Sequence, residues 1–333
     1  MVRLFNQPSL FAAIFGTHLA MASSLLRQSP LSPKDAPIPL VIWHGMGDSH
    51  NSKGMASIAS VAEAANPGTF TYMIRVEDDG ISDRSLTYFG NISSQIETVC
   101  AEMAAHPILS TAPAVDALGF SQGGQFLRGY VERCNNPPVR SLVTFGAQHN
   151  GISKLNACDQ DDFLCNFVQG LLRDNIWSEA IQSYVVPAQY FRDPTSLDEY
   201  NKYLENSNFL ADINNEREHK NEDYKKNLIR LERFVMYMFQ DDKTVVPKES
   251  GWFAEVNGST VTPLQERSLY KEDWLGLKIL DEKHALKFHT VPGSHMQLDD
   301  NVLEEIFKKY FGPFGRKFDD EDEIRIDTAL IEL

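Results

Sequence analysis

The chain has 333 residues, 42% of them hydrophobic and 23% charged, a balance that supports one large domain with a substantial buried core. Its formal net charge of −15 removes nucleic-acid binding from consideration, because no basic excess exists to displace counterions from phosphates. Part of the acidity is local: Asp319-Asp320-Glu321-Asp322-Glu323 falls in a tail over residues 315–333.

The amino terminus reads as a secretory signal over residues 1–22. Arg3 supplies a positive start, residues 10–15 an apolar stretch, and Ala20-Met21-Ala22 a small-x-small cleavage site. Residues 23–37 are rich in Ser and Pro and form a flexible lead-in. No later stretch reaches the ~18 apolar residues of a membrane-spanning helix, so the mature chain is expected to be soluble. Four cysteines, Cys100, Cys134, Cys158 and Cys165, make an even number with no C-x-x-C pair, which fits an oxidising compartment rather than zinc or redox chemistry. Asn91-Ile92-Ser93 and Asn257-Gly258-Ser259 are glycosylation sequons, implying surface positions at Asn91 and Asn257.

Residues 38–43 form a continuous apolar run, as a buried parallel strand does, and end in His44-Gly45-Met46-Gly47-Asp48-Ser49. A second strand is expected over 69–76. Residues 94–106 read as a helix with a Ser94–Glu97 capping box and a buried stripe of Ile96, Val99, Cys100 and Met103, which turns Cys100 inward. A short strand over 113–118 then runs into Gly119-Phe120-Ser121-Gln122-Gly123. This is G-x-S-x-G in a strand-to-helix context, with a helix over 122–133 ending at Cys134. A strand over 139–145 follows. From 152 to about 221 the strand-like runs thin out, and Phe163, Phe167, Leu171, Trp177, Tyr184, Tyr190, Phe191, Tyr200 and Tyr203 mark a largely helical insertion packed over the core. A helix over 222–233, strands over 234–239 and 285–291 and a helix over 299–311 close the pattern. Strands alternating with helices, without repeats, predict an α/β fold with a mostly parallel sheet, in which ligands sit at the carboxyl ends of the strands.

A serine at such an elbow becomes a nucleophile only with a base, and the base needs an acid to orient it; the chain order is serine, acid, histidine. Five histidines follow Ser121: His149, His219, His284, His289 and His295. His295 is the strongest candidate, in the turn Pro292-Gly293-Ser294-His295 after the last strand. His289 lies within that strand and reads as structural, and His219 and His284 sit in polar surroundings. The acid belongs at the end of the strand over 234–239, at Asp241 or Asp242, and spacing alone leaves both open. Two N–H donors are required for the oxyanion: that of Gln122, after the nucleophile, and that of Met46, in the glycine loop after the first strand. His44 reads as a histidine bonded to backbone. This chemistry calls for no metal and no cofactor.

Val41-Ile42-Trp43-His44-Gly45-Met46-Gly47-Asp48, Gly119-Phe120-Ser121-Gln122-Gly123-Gly124-Gln125-Phe126-Leu127-Arg128, Asn206-Ser207-Asn208-Phe209-Leu210-Ala211-Asp212-Ile213-Asn214 and Gly293-Ser294-His295-Met296-Gln297-Leu298 together resemble palmitoyl-protein thioesterases. The likeness spans residues 37–314. It implies an α/β-hydrolase fold over 38–314, with helices on both faces of the sheet, that removes long acyl chains from S-palmitoylated proteins or peptides and releases a fatty acid. It implies a secretory-pathway or lysosomal setting. The family's nucleophile falls on Ser121 and its base on His295. Its acid, which precedes a segment ending in Val-x-Pro, falls on Asp242, ahead of Lys243-Thr244-Val245-Val246-Pro247. Its disulfides fall on Cys100–Cys134 and Cys158–Cys165, while Ser49-His50 stand where the family often has adjacent cysteines. From the residues themselves, the 152–221 insertion supplies apolar material for an acyl groove. A lipase or carboxylesterase acting on oxygen esters is the nearest alternative reading. A non-catalytic lipid carrier is the other, although a carrier has no use for a nucleophile.

Overall fold

The computed structural model describes residues 35–154 and 175–318, with Phe167, Gly170 and Leu171 between them. The signal segment, the acidic run over residues 319–323, Phe163 and the Cys158–Cys165 pair lie outside the described residues.

The backbone of the molecule is a six-stranded sheet in the order β2-β1-β3-β4-β5-β8, with every neighbouring pair parallel. Its strands are β1 (Leu40–Trp43), β2 (Thr71–Met73), β3 (Val115–Phe120), β4 (Val139–Phe145), β5 (Arg233–Phe239) and β8 (Leu286–Val291). Strands β1, β3, β4 and β5 are buried at every position, as continuous apolar runs require when helices cover both faces. Alternation along β1 sorts the two layers. Val41 and Trp43 join the core beneath α3 (Ile92–Ala105) and α4 (Gln122–Arg133). Leu40 and Ile42 join the core beneath α1 (Lys53–Ala65) and the C-terminal helix Asp300–Tyr310. A separate antiparallel hairpin, β6 (Glu255–Asn257) with β7 (Thr260–Thr262), was not expected from the sequence. This arrangement is the α/β-hydrolase fold. No helix among the described residues is long and apolar enough to cross a membrane.

Several boundaries differ from expectation. The strand expected from residue 38 begins at Leu40, the one expected over 69–76 pairs only over Thr71–Met73, and the pre-elbow strand runs Val115–Phe120 rather than 113–118. The Ser94–Glu97 capping box is not formed: Asn91 caps α3, its side-chain oxygen accepting from Ser94 N–H at 3.1 Å. Asparagine is at least as good an N-cap as serine, and starting earlier brings fully buried Ile92 into the helix. The helix expected over 222–233 stops at Leu228, because the next residues turn to enter β5. Helix α1 was missed, although Ser52 caps it and Met55, Ile58, Val61, Ala62 and Ala65 supply its apolar stripe.

The described parts of the 152–221 segment pack on the elbow helix. Helices Glu179–Tyr184, Val186–Gln189, Leu197–Asn206 and Leu210–Ile213 run through it. Tyr190, Tyr203 and Phe209 to Ala211 share a core with Phe126 and Tyr130. Fully buried Arg128 of α4 donates to Glu132 (2.8 Å), to the carbonyls of Ile213 and His149 (3.0 Å each) and to Asn214 (2.8 Å). One guanidinium thereby fixes the Phe209-to-Asn214 motif and the loop after β4 to the same helix, and its burial is sustained by those four partners. A Cys100–Cys134 disulfide ties α3 to the carboxyl cap of α4.

Candidate active site

Strand β1 has β2 on one side and β3 on the other, so successive connections diverge at β1 and β3. That is the switch point at which open parallel sheets present a crevice. The loop carrying His44 to Ser49 leaves β1 there, and Ser121 follows β3 there.

Ser121 has φ +50° and ψ −121°, a strained conformation for a residue with a side chain, of the kind concentrated at functional positions and costing ~1–3 kcal/mol. The backbone bond from Ser121 N–H to Phe145 O (2.7 Å) holds it. The glycines of the motif are steric necessities. A Cβ on Gly119 would lie 2.3 Å from Gly124 Cα, and one on Gly123 would lie 2.4 Å from the carbonyl oxygens of Trp43 and His44. Strand, elbow and β1 loop can close together only with glycine at both positions.

The Ser121 hydroxyl lies 3.0 Å from His295 Nε2, and His295 Nδ1 lies 2.7 Å from Asp242 Oδ2. Asp242 Oδ1 accepts from the N–H groups of Thr244 (2.8 Å) and Val245 (3.0 Å). With that carboxylate as acceptor, Nδ1 carries the imidazole proton and Nε2 is free to accept from serine. The Asp242 side chain is 1% exposed and that of His295 13%. Asp241 is exposed, and only its backbone N–H is engaged, with Gly293 O at 3.0 Å. The remaining histidines go elsewhere. His219 and His284 are exposed, and His289 stacks on Tyr237 and bonds Tyr310 at 3.0 Å. His149 is fully buried, stacks on Phe253 and bonds Thr144 Oγ1 at 3.1 Å.

Gln122 is the first residue of α4, so its N–H has no acceptor within the helix. Met46 lies in the β1 loop, and buried Tyr190 joins the two: its hydroxyl donates to Gln122 Oε1 (3.1 Å) and contacts Met46 Sδ (3.8 Å). Burial pushes the Tyr190 phenol well up, so it remains a donor.

Asp83 was not singled out in the sequence. It is 1% exposed on helix α2 (Gly80–Leu86). Its Oδ2 receives His44 Nε2 (3.0 Å), His50 N–H (2.9 Å) and His50 Nδ1 (3.0 Å), and its Oδ1 receives Val76 N–H (2.9 Å). Burial alone would raise its pKa, but the bonds from His44, His50 and Val76 outweigh that and hold it well below the usual carboxylate range. His44 also contacts Gly45 O at 3.0 Å, as expected for a histidine bonded to backbone. Both ends of the Met46 loop are thus fastened to one carboxylate. The only sequence signal was an Asp inside a short polar helix, which says nothing about a partner thirty-nine positions away.

Of the sequons, Asn257 is exposed at the β6–β7 turn and Asn91 is partly exposed.

The palmitoyl protein thioesterase family model matches residues 39–295. The chain is 38% identical over 279 residues to palmitoyl-protein thioesterase 1 of Caenorhabditis elegans, covering 82% of this chain and 92% of that protein. It is 36% identical over 284 residues to palmitoyl-protein thioesterase 3 of Dictyostelium discoideum, covering 83% and 90%. It is 27% identical over 269 residues to lysosomal thioesterase PPT2 of Homo sapiens, covering 79% and 83%. The chain, with its serine elbow and the histidine and carboxylate that meet it, belongs to the palmitoyl protein thioesterase family.

Proposed function

We propose that this protein is a serine thioesterase that hydrolyses long-chain acyl thioesters, palmitoyl above all, from S-acylated cysteines. The observation that carries the proposal is the hydrogen-bonded chain Ser121–His295–Asp242 at the switch point of the sheet, in a member of this family. His295 Nε2 takes the proton as Ser121 Oγ attacks the thioester carbonyl, and the imidazolium that forms is held by Asp242. The N–H groups of Met46 and Gln122 receive the oxyanion. Collapse expels the cysteine sulfur, protonated by His295, and leaves Ser121 acylated. Water, activated by the same imidazole, then releases the fatty acid.

The acyl chain runs from Ser121 toward the insertion. Support for that path is the wall beyond Met46, where Tyr88, Val185 and Ala188 form a cluster with Phe89, Leu171, Ile176 and Ile181 around it. Phe89 stacks on Tyr184 and meets Phe167 edge-on, and both of those side chains are more than half or about half exposed. Large, partly exposed aromatic side chains beside an apolar cluster fit a ligand that covers them. The reading extends to the secretory pathway and the lysosome, supported by the leader, the sequons and the Cys100–Cys134 disulfide.

The test is hydrolysis of a palmitoyl thioester and its matched oxygen ester by the purified protein, with fluorophosphonate labelling of Ser121. Faster thioester turnover and labelling of Ser121 are expected. Preference for the oxygen ester would make the protein an esterase, and an inert serine would leave a lipid carrier.

A further inference from the structure

Ser121 and His295 open into a cleft of about 360 Å³. Its walls come from the β1 loop at Gly45, Met46 and Asp48, from α1, from Thr244, from the loop that carries His295 and from the start of the C-terminal helix; no described residue of the 152–221 insertion lines it. Ile58, Met296, Leu298 and Leu303 give it an apolar interior. Asp48 and Asp300 are its carboxylate wall residues among the described residues, and Asp48 Oδ1 also accepts from Ser49 N–H at 2.8 Å. Lys53 and Lys243 adjoin wall residues in sequence but do not line it.

The chemistry assigns the two sides of Ser121. His295 Nε2 must hand its proton to the departing sulfur, so the leaving group has to lie on the His295 side. The carbonyl oxygen faces the Met46 and Gln122 N–H groups, and the acyl chain leaves on the Tyr190 side. The cleft is bordered by Gly45 and Met46 on one edge and by Met296 and Leu298, of the loop of His295 itself, on the other, so it reaches the leaving-group side. We propose that this cleft binds the peptide portion of the substrate and selects S-acylated cysteines flanked by an apolar residue and a Lys or Arg. The apolar walls receive the first neighbour, and the two carboxylates attract the second. Acyl carriers bearing phosphates meet the same carboxylates as like charges and are disfavoured. The proposal rests on the thioesterase reading above.

The experiment uses the full chain and palmitoyl thioesters that share one acyl group. These are a cysteinyl peptide with a flanking Lys, the same peptide with Glu, palmitoyl-coenzyme A and palmitoyl-N-acetylcysteamine. At low ionic strength kcat/KM for the Lys peptide should exceed that for the Glu peptide by roughly tenfold, with palmitoyl-coenzyme A also below the Lys peptide. The ratio should shrink as salt is added. Asp300→Asn should lower the ratio several-fold and Asp300→Lys should invert it. Asp300 is exposed in the first helical turn, so these variants are expected to fold. A wild-type ratio near one, or palmitoyl-coenzyme A turned over as well as the Lys peptide, overturns the proposal while leaving the thioesterase reading intact. Failure to cleave any of the four, the neutral N-acetylcysteamine thioester included, overturns both.

Discussion

Asp241 and Asp242 are adjacent, carry the same carboxyl group and lie at the end of the same strand, and only burial and partner separate them. Asp242 is enclosed and 2.7 Å from His295 Nδ1, whereas the Asp241 side chain points to solvent. Asp242→Asn should lower kcat by up to about 10⁴, because an amide neither stabilises the imidazolium nor fixes the tautomer. Asp241→Asn should stay within a few-fold of wild type. Steady-state kinetics on the two purified variants check this, and the reverse ranking would reassign the acid. His149 makes a different prediction. Burial, then the neighbouring Arg128 guanidinium, holds its pKa well below the ordinary value of 6.5. The unfolded chain therefore binds the extra proton first as pH falls, and stability drops below about pH 6.5 by up to about 1.4 kcal/mol per unit from this group. Urea midpoints measured from pH 7 to pH 5 should decline, and decline less steeply in His149→Gln. Equal slopes would mean that the ring is protonated in the folded state. That His149 is buried could not be read from its polar neighbours Gln148 and Asn150, which are themselves inside the molecule.

At the scale of elements, α4 and β4 occupy the residues expected of them, because their signals are local: two glycines and a strained serine at one boundary, an unbroken apolar run for the other. The first turn of α3 and the extent of β2 differ because caps and strand pairings depend on neighbours that propensity does not include. The β1 loop depends on such a neighbour. Asp83→Asn should release His44 and His50 and loosen the Met46 N–H. If the Met46 N–H receives the oxyanion, a fall in kcat of about 10–100-fold with little change in KM is expected, since such a donor acts mainly in the transition state. The affinity for a long-chain trifluoromethyl ketone, which mimics the tetrahedral adduct, should fall in parallel. Unchanged kcat in a protein that merely melts earlier would make Asp83 a structural residue only. The Cys100–Cys134 bridge closes a loop across a sequence separation of 34. Chain entropy puts its contribution at about 4 kcal/mol. Replacing both cysteines with Ala should lower the denaturant midpoint accordingly, with kcat at permissive temperature nearly unchanged.

Across the whole molecule, the site has two unlike flanks: the insertion beyond Tyr190 on one side, α1 and the C-terminal helix on the other. If the insertion receives the acyl chain, kcat/KM on monomeric thioesters should climb steeply from acetyl toward about fourteen to eighteen carbons. About 0.8 kcal/mol per methylene is the ceiling for that climb. A profile flat from acetyl to palmitoyl would remove the groove from the insertion. The sequence by itself determined the alternation of strands and helices, the elbow and its glycines, and the short list of histidines and carboxylates. Each of these is written in residues close together along the chain, where steric demand and apolar periodicity act directly. Only the tertiary structure decided which of them meet. His295 reaches Ser121 across 174 positions and Asp242 across 53, and two histidines of the β1 loop converge on Asp83 across 39 and 33. Such contacts are set by the order of strands in the sheet and by the helices that cover it, and these bring distant residues together without leaving any local mark in either one.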